Sequence, residues 1–407
     1  MNYGAVHVFT SITSNYLPKA RVLARSVKQR APEVQFHLML SDVPPPGFDL
    51  AAEPFDHLIR LEDLAIEQAA QWAFGHTVVE LCTAVKGFAF QRLLDLPGAE
   101  KAFYFDPDMV VFDRLDELIE RLDRHSILLT PHQCEPEDTL EAIADNEIAS
   151  LKHGVFNLGF LGVRNSDEGR RFIDWWAARL EHFCRDAIGE GLFTDQRWVD
   201  LAPCFFSDIE VMRDSGFNVA TWNLSHRHVG GSLADGVRVN DEVLGFYHFS
   251  GFDSGAQEIM LGKYGDGNPA LHELRNWYIE ACEREGQSAL GRLPARHACY
   301  ADGTPIDKAE RTLYRQREDL RRAFPDPYAT TPTNKCYRDW YAINGAAAAP
   351  PGVLIARYDA RYAVAVQDFL KFSENRLNQS HRLSGWRKRL VAGVLRTLGR
   401  LAGRLLA

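Results

Sequence analysis

Ala5-Val-His-Val-Phe-Thr-Ser-Ile-Thr-Ser-Asn15 stands near the start of the chain, and its continuation into a helix and a second strand decides the fold. Ala5 to Phe9 reads as a short strand and Thr10 to Asn15 as a polar turn. From Tyr16 to Gln29, the residues Leu17, Ala20, Leu23, Ala24 and Val27 recur at helical intervals. Phe36-His-Leu-Met-Leu40 is a second strand, closed by Asp42 and the prolines at 44 to 46. Strand, helix and strand in that order form a βαβ unit, which implies a parallel sheet and an α/β fold. Ligands of such folds bind outside the carboxyl ends of the strands. Downstream, Leu61 to Leu94 reads as a long helical region. Further strands are expected at Ile127–Thr130, Phe156–Val163 and Val243–Phe249, and helices at Glu168–Phe183 and Pro269–Glu285.

The chemistry is concentrated in Lys101-Ala-Phe-Tyr-Phe-Asp-Pro-Asp-Met-Val-Val-Phe112. An apolar strand delivers two carboxylates, Asp106 and Asp108, and then resumes. Alternation along a strand points both the same way, and Pro107 interrupts the ladder between them. Two anionic oxygen ligands at a strand end suit a hard divalent cation carrying a phosphate-bearing substrate. A solvated Asp-Pro-Asp turn would read the same in isolation. The polar turn at Thr10 also lies at a strand end, and this coincidence favours the functional reading.

Composition narrows the field. A net charge of −9 over 407 residues argues against nucleic acid as the main partner, because phosphate backbones need a basic footprint. The seven cysteines are scattered without a CxxC pair, which reads as reduced packing thiols of a cytoplasmic protein and argues against a structural zinc site. The first residues lack the pattern of a signal peptide, and no stretch reaches the roughly 18 apolar residues of a membrane span.

Four further features accompany the aspartates. Phe156-Asn-Leu-Gly-Phe-Leu-Gly-Val163 carries Asn157, with donor and acceptor for sugar hydroxyls, and Gly159, which permits close approach. Thr194-Asp-Gln196 precedes an apolar stretch, where helix capping and catalysis can coexist. His248 stands at a strand end before Gly251. Lys86 lies on the helix before the Asp106 strand and can meet a diphosphate as a point charge.

Taken in order, Asn15-Tyr16, Thr83-Ala-Val-Lys86, Tyr104-Phe-Asp-Pro-Asp108, Phe156-Asn-Leu-Gly159, Thr194-Asp-Gln196, Phe217-Asn-Val-Ala-Thr-Trp-Asn223 and His248-Phe-Ser-Gly251 resemble the GT-A-fold nucleotide-sugar glycosyltransferases. The resemblance is strongest to glycosyltransferase family 8 and its bacterial surface-polysaccharide relatives, and it covers roughly residues 4 to 255. It implies a Rossmann-like mixed sheet with flanking helices over 1–290. A mainly helical extension would come next over 291–380, then a tail over 381–407.

The resemblance also implies roles. Asp106, Asp108 and His248 would hold Mn²⁺ or Mg²⁺. Thr10, Ser11 and Tyr16 would contact the nucleotide, with Lys86 near the donor. Asn157, Asp195 and Gln196 would line the donor sugar, with Gly159 among the donor-binding positions. Asp195 or Gln196 would face the reacting carbon of a retaining reaction. A nucleotide-sugar donor, UDP-linked by preference, and a saccharide or lipid-linked acceptor would be the partners. There is one departure. The family often continues HxxGxxK, with the lysine on the diphosphate, whereas His248-Phe-Ser-Gly-Phe-Asp-Ser254 has none. Either another cation serves, Arg227 being a candidate, or solvent covers that side.

Two rival readings are a sugar nucleotidyltransferase and a non-catalytic sugar-binding protein of the same fold. The first would need a glycine- and lysine-rich phosphate loop, and Thr10–Asn15 has neither residue; loss of the aspartate pair would favour the second. The tail carries Arg389, Arg396, Arg400 and Arg404 on one helical face and leucines on the other, without an acidic residue. It reads as a peripheral anchor on the anionic inner leaflet.

Overall fold

A computed structural model describes residues 5–265, 267–330 and 336–348, together with Val391 and Val394. The chain divides into two compact units, Met1–Lys308 and Ala309–Ala407. Residues 291–308 therefore group with the first unit. The tail expected over 381–407 lies outside the described residues apart from the two valines.

The first unit is built on a seven-stranded mixed sheet. Its strands are β1 (Val6–Ile12), β2 (Gln35–Leu40), β3 (His57–Arg60), β4 (Lys101–Phe105), β6 (Ile127–Pro131), β7 (Phe156–Arg164) and β10 (Ile209–Val211). They lie in the order β10-β6-β7-β4-β1-β2-β3. β1 runs parallel to β2 and β4, while β7 is antiparallel to both β4 and β6. Short strands complete the unit. β5 (Met109–Val111) pairs with β14 (Phe246–His248), β8 (Arg185–Ala187) pairs with β9 (Leu192–Thr194), and β11 (Val229–Ser232), β12 (Gly236–Val239) and β13 (Glu242–Val243) form a small antiparallel sheet.

Alternation assigns the two faces of the main sheet. Phe9, Tyr104 and Leu161 pack on one side against helices α2 (Val78–Leu94) and α4 (Asp167–Phe183). Val8, Phe103, Phe105 and Phe160 face the other side, under α1 (Leu17–Arg30) and α3 (Leu115–Arg124). A third cluster joins β11, β12 and β14 to α5 (Ala256–Tyr264) and α6 (Pro269–Arg284). The mixed sheet with helices on both faces agrees with the expected α/β class.

Three expectations are corrected. β1 does not stop at Phe9. It is central, hydrogen-bonded to β2 as far as Ile12, so Thr10 and Ser11 are strand residues with buried hydroxyls. The region from Leu61 to Leu94 is not continuous, because a short helix at Ala69–Phe74 ends at Gly75 and α2 starts afresh behind a Thr77–Glu80 capping box. Val243–Phe249 breaks at Gly245 into β13 and β14. Among the described residues, no helix is long and apolar enough to cross a membrane. The described part of the second unit is helical, with Tyr314 and Tyr337 buried edge to face at 5.0 Å.

Candidate active site

The Asp-Pro-Asp segment is a tight turn between β4 and β5. The Asp106 N–H donates to the Gly159 carbonyl on β7 at 2.7 Å, and the Met109 N–H closes back on the Asp106 carbonyl at 2.9 Å. β5 then pairs antiparallel with β14, with Met109 opposite His248. Two segments far apart in sequence thus meet edge to edge. Ligand atoms of Asp106, Asp108 and His248 all lie within 4.8 Å of one another. His248 Nε2 is 3.1 Å from Asp108 and 3.9 Å from Asp106.

The imidazole is oriented from behind. Burial pushes the His132 pKa down to about 4, so that ring is neutral near pH 7. Its Nε2 lies 3.2 Å from the Asn157 amide nitrogen and accepts from it. The Asn157 oxygen therefore faces His248, whose Nδ1 it meets at 3.2 Å. His248 Nδ1 then carries the proton, and Nε2 is aimed at the carboxylates. Such outer partners fix tautomer and ring orientation in metal sites. Trp222 closes the cluster, its ring edge-on to His248 at 5.2 Å and to His132 at 5.3 Å. Gly159 is required by the same crowding, since a Cβ there would fall 2.5 Å from the Met109 methyl and 2.7 Å from His248 Cε1.

The carboxylates on the other side are wired to Lys86. This fully enclosed ammonium is 2.9 Å from Asp195, 3.4 Å from Asp106 and 3.0 Å from the Leu158 carbonyl, and it stands 4.1 Å over the Tyr104 ring. An ammonium has three protons, and three protein acceptors surround this one. Burial lowers the Lys86 pKa, but the two aspartates outweigh it and the net direction is up. Asp195 is pushed up by burial, with Lys86 opposing and Asp106 adding. Asp108 is pushed up by burial, but His248 and then Lys19 outweigh this and hold it below the usual range. Burial pushes His248 down, and Asp108 reverses it to a net rise.

The structure thus gathers Asp106, Asp108, His248, Lys86, Asn157, Gly159 and Asp195 into one cluster at the carboxyl end of β4 and the amino end of the antiparallel β7. The pairing of Phe9 with Tyr104 sets Thr10 and Ser11 level with the end of β4. Thr10 Oγ1 is buried without a hydrogen-bond partner among the described residues. Gln196 is pinned, its oxygen accepting from the Leu158 N–H and its nitrogen donating to the His153 carbonyl, each at 2.9 Å. It ties β7 to the helix Ile148–His153 and fixes the backbone next to Asp195. Thr194 just before it holds a left-handed φ of 43°, conformational strain that such sites tolerate. Asn157, expected at sugar hydroxyls, has its amide engaged by two imidazoles. Arg227 is buried, donating to the Phe217 carbonyl and to Cys134 sulfur.

Sequence reasoning did not single out His132, Tyr104 or Trp222 as members of the site. Tyr104 and Trp222 do fall within stretches that carry the family resemblance, Tyr104–Asp108 and Phe217–Asn223. His132 gives no local signal, because its role depends on β6 and β7 being neighbours.

No protein-family model matches the chain. Two uncharacterized Bacillus subtilis (strain 168) proteins are similar. YfnD is 26% identical over 253 residues, 60% of this chain and 78% of its own; YfnF is 28% identical over 183 residues, 42% of this chain and 57% of its own. Solved structures with similarity include the galactosyltransferase LgtC in complex with donor and acceptor sugar analogs. It is 15% identical, with 71% of this chain and 97% of that chain covered and a TM-score of 0.41. The glycosyltransferase GlyE of Streptococcus pneumoniae TIGR4 is 16% identical, with 72% and 66% covered and a TM-score of 0.39. At TM-scores below 0.5 these likenesses do not bear on the chemistry, which rests on the residues above.

Proposed function

We propose that the chain is a divalent-metal-dependent glycosyltransferase that moves a hexose-type sugar from a nucleoside diphosphate to a saccharide or lipid-linked acceptor, in surface glycan synthesis. The observation that carries this reading is the convergence of Asp106, Asp108 and His248 within 4.8 Å at the strand ends, beside the buried Lys86–Asp195 pair. Two carboxylate oxygens and one imidazole nitrogen suit Mn²⁺, or Mg²⁺ with more water retained. The metal would neutralise charge on the departing diphosphate as a Lewis acid and template.

The protein's own groups do the rest. Asn157 and His132 orient His248. Lys86 holds Asp195 against Asp106 and spreads positive charge under both. Asp195 is the carboxylate that faces the reacting sugar carbon, as a transient nucleophile or as an electrostatic partner to an oxocarbenium-like centre. Gln196 sets its backbone. Thr10, Ser11 and Tyr16 flank the nucleotide, for which a UDP-sugar is favoured. The anomeric configuration is retained.

Screening nucleotide sugars for Mn²⁺-dependent hydrolysis and transfer tests this. Asp108→Asn should lower turnover by about 10²-fold or more, the loss of one metal oxygen's share of transition-state stabilisation, while the protein stays folded. Chelator-insensitive activity, or near-normal turnover by the variant, would remove the metal assignment. Proton NMR of the first-formed product should show the donor's anomer, and an inverted anomer would refute the role of Asp195.

A further inference from the structure

Two lysines stand near the metal cluster, and they differ in what is left of their hydrogen-bonding capacity. Lys86 has its three protein acceptors. Lys19 does not. It sits in the first turn of α1 and is 2% exposed. Among the described residues its ammonium contacts one carboxylate oxygen, that of Asp253, and lies 4.4 Å from the centre of the Tyr16 ring. An ammonium with three protons and one such acceptor has capacity for more.

The partner is unlike the lysine. Asp253 follows His248 by five residues, and its side chain is 46% exposed. The same Asp253 oxygen also accepts from the Tyr16 hydroxyl at 2.6 Å. Its loop begins at the metal cluster, because the Phe249 N–H donates to the Asp108 carbonyl at 2.8 Å. Where a cation is expected after His248, the loop supplies an acid, and the cation comes from α1 instead. Lys19 is also the second charge, after His248, that acts on the Asp108 carboxylate.

A buried ammonium without a counter-ion is costly, so some anion must accompany Lys19 in every state of the protein. An exposed carboxylate on a loop can return to water at little cost. Resting on the glycosyltransferase reading, we propose that Lys19 is the cation that receives the diphosphate of the nucleotide donor, and that Asp253 is the carboxylate it must exchange for that diphosphate. Tyr16 serves both anions, as its hydroxyl can donate to either. Asp253 thereby competes with the donor, and removing its charge should strengthen donor binding rather than weaken it.

The test is calorimetric binding of UDP and GDP in Mn²⁺, with uridine and guanosine as uncharged controls, on the full-length protein. Lys19→Met should weaken binding of the preferred nucleoside diphosphate about tenfold or more, the worth of a charge-assisted contact. Lys19→Arg should stay within about threefold of the parent. Asp253→Asn should tighten diphosphate binding about threefold or more. None should alter binding of the matching nucleoside. Equal affinity of the parent and Lys19→Met, or weaker binding by Asp253→Asn, overturns the assignment while leaving the glycosyltransferase reading in place. A parent protein that binds neither diphosphate in Mn²⁺ overturns both. Should Lys19→Met fail to fold, Asp253→Asn decides, measured below its own melting transition because the substitution leaves the buried Lys19 ammonium without its carboxylate until the diphosphate binds.

Discussion

At the residue scale, Asn157 shows how a polar side chain inside an apolar strand can serve a site without touching substrate. Its amide is a relay whose polarity is set at one end by a neutral His132 and delivered at the other to His248. Replacing it by leucine keeps the branched outline, at a larger volume, but removes both hydrogen bonds, so the imidazole loses its fixed tautomer. Outer partners of metal-bound histidines are worth about 10- to 100-fold in metal affinity. Asn157→Leu is therefore expected to weaken Mn²⁺ binding by about that factor, and also to lower the melting temperature, because two buried imidazole nitrogens lose their partner. Calorimetric titration with Mn²⁺ measures it, and unchanged affinity would show that His248 is oriented by packing against Trp222 alone. Sequence could nominate Asn157, because an amide between Phe156 and Leu158 is out of place for packing. It could not say that its partners are histidines, since His132 is 25 residues away and His248 is 91.

At the scale of elements, legibility followed periodicity. α1, α4 and α6 were readable to within a residue or two because their apolar positions recur at helical intervals. The end of β1 differs from the sequence expectation because Thr10 and Ser11 look like turn residues, whereas β2 pairs with them as far as Ile12 and the fold buries them. The pairing of β5 with β14, which makes the metal cluster, has no local signature at all. Another inter-strand feature is hidden in the sequence for the same reason. His7, His37 and His57 stand on neighbouring strands, with His7 Nδ1 and His37 Nε2 3.0 Å apart and the His37 and His57 rings stacked at 4.6 Å.

Burial, with the charges of the neighbouring histidines, pushes His37 down to about 2, and burial also lowers His7. An unfolded chain protonates these rings near 6.5, which the folded sheet resists. The unfolded state thus binds more protons below that pH. The contribution of each to stability is complete above about 6.5 and declines as pH falls. For His37 the change between pH 7.5 and 5.5 is about 1.4 kcal/mol. Urea midpoints of the parent and of His37→Gln at those two pH values check it. The variant should lose part of the acid sensitivity, and identical pH dependence in both would mean that the rings accept protons within the fold.

At the scale of the whole molecule, the acid content and the basic tail have to be reconciled. The chain carries a net charge of −9, yet residues 382–407 hold seven basic residues, Arg382, Arg387, Lys388, Arg389, Arg396, Arg400 and Arg404, and no acid. Read from the sequence as a helix of about 100° per residue, Leu390, Val394, Leu398, Leu401 and Leu405 would fall on one face and Arg389, Arg396, Arg400 and Arg404 on the other. Trp386 precedes them, a residue that favours the headgroup level. A segment so rich in arginine cannot span a bilayer, but it can lie in an anionic surface, where each basic residue adds about 1 kcal/mol. A lipid-linked acceptor would be met at that surface. We therefore expect the full-length protein to sediment with vesicles containing anionic lipid at low salt and to be released at high salt. Replacing Arg389, Arg396, Arg400 and Arg404 together by glutamine removes four charges and leaves the apolar face, so binding should fall by several hundredfold if the contributions add. A docking of the tail on the protein's own acidic surface gives the opposite result. In that case neither the parent nor the variant sediments with vesicles, and neutralising the arginines lowers thermal stability instead.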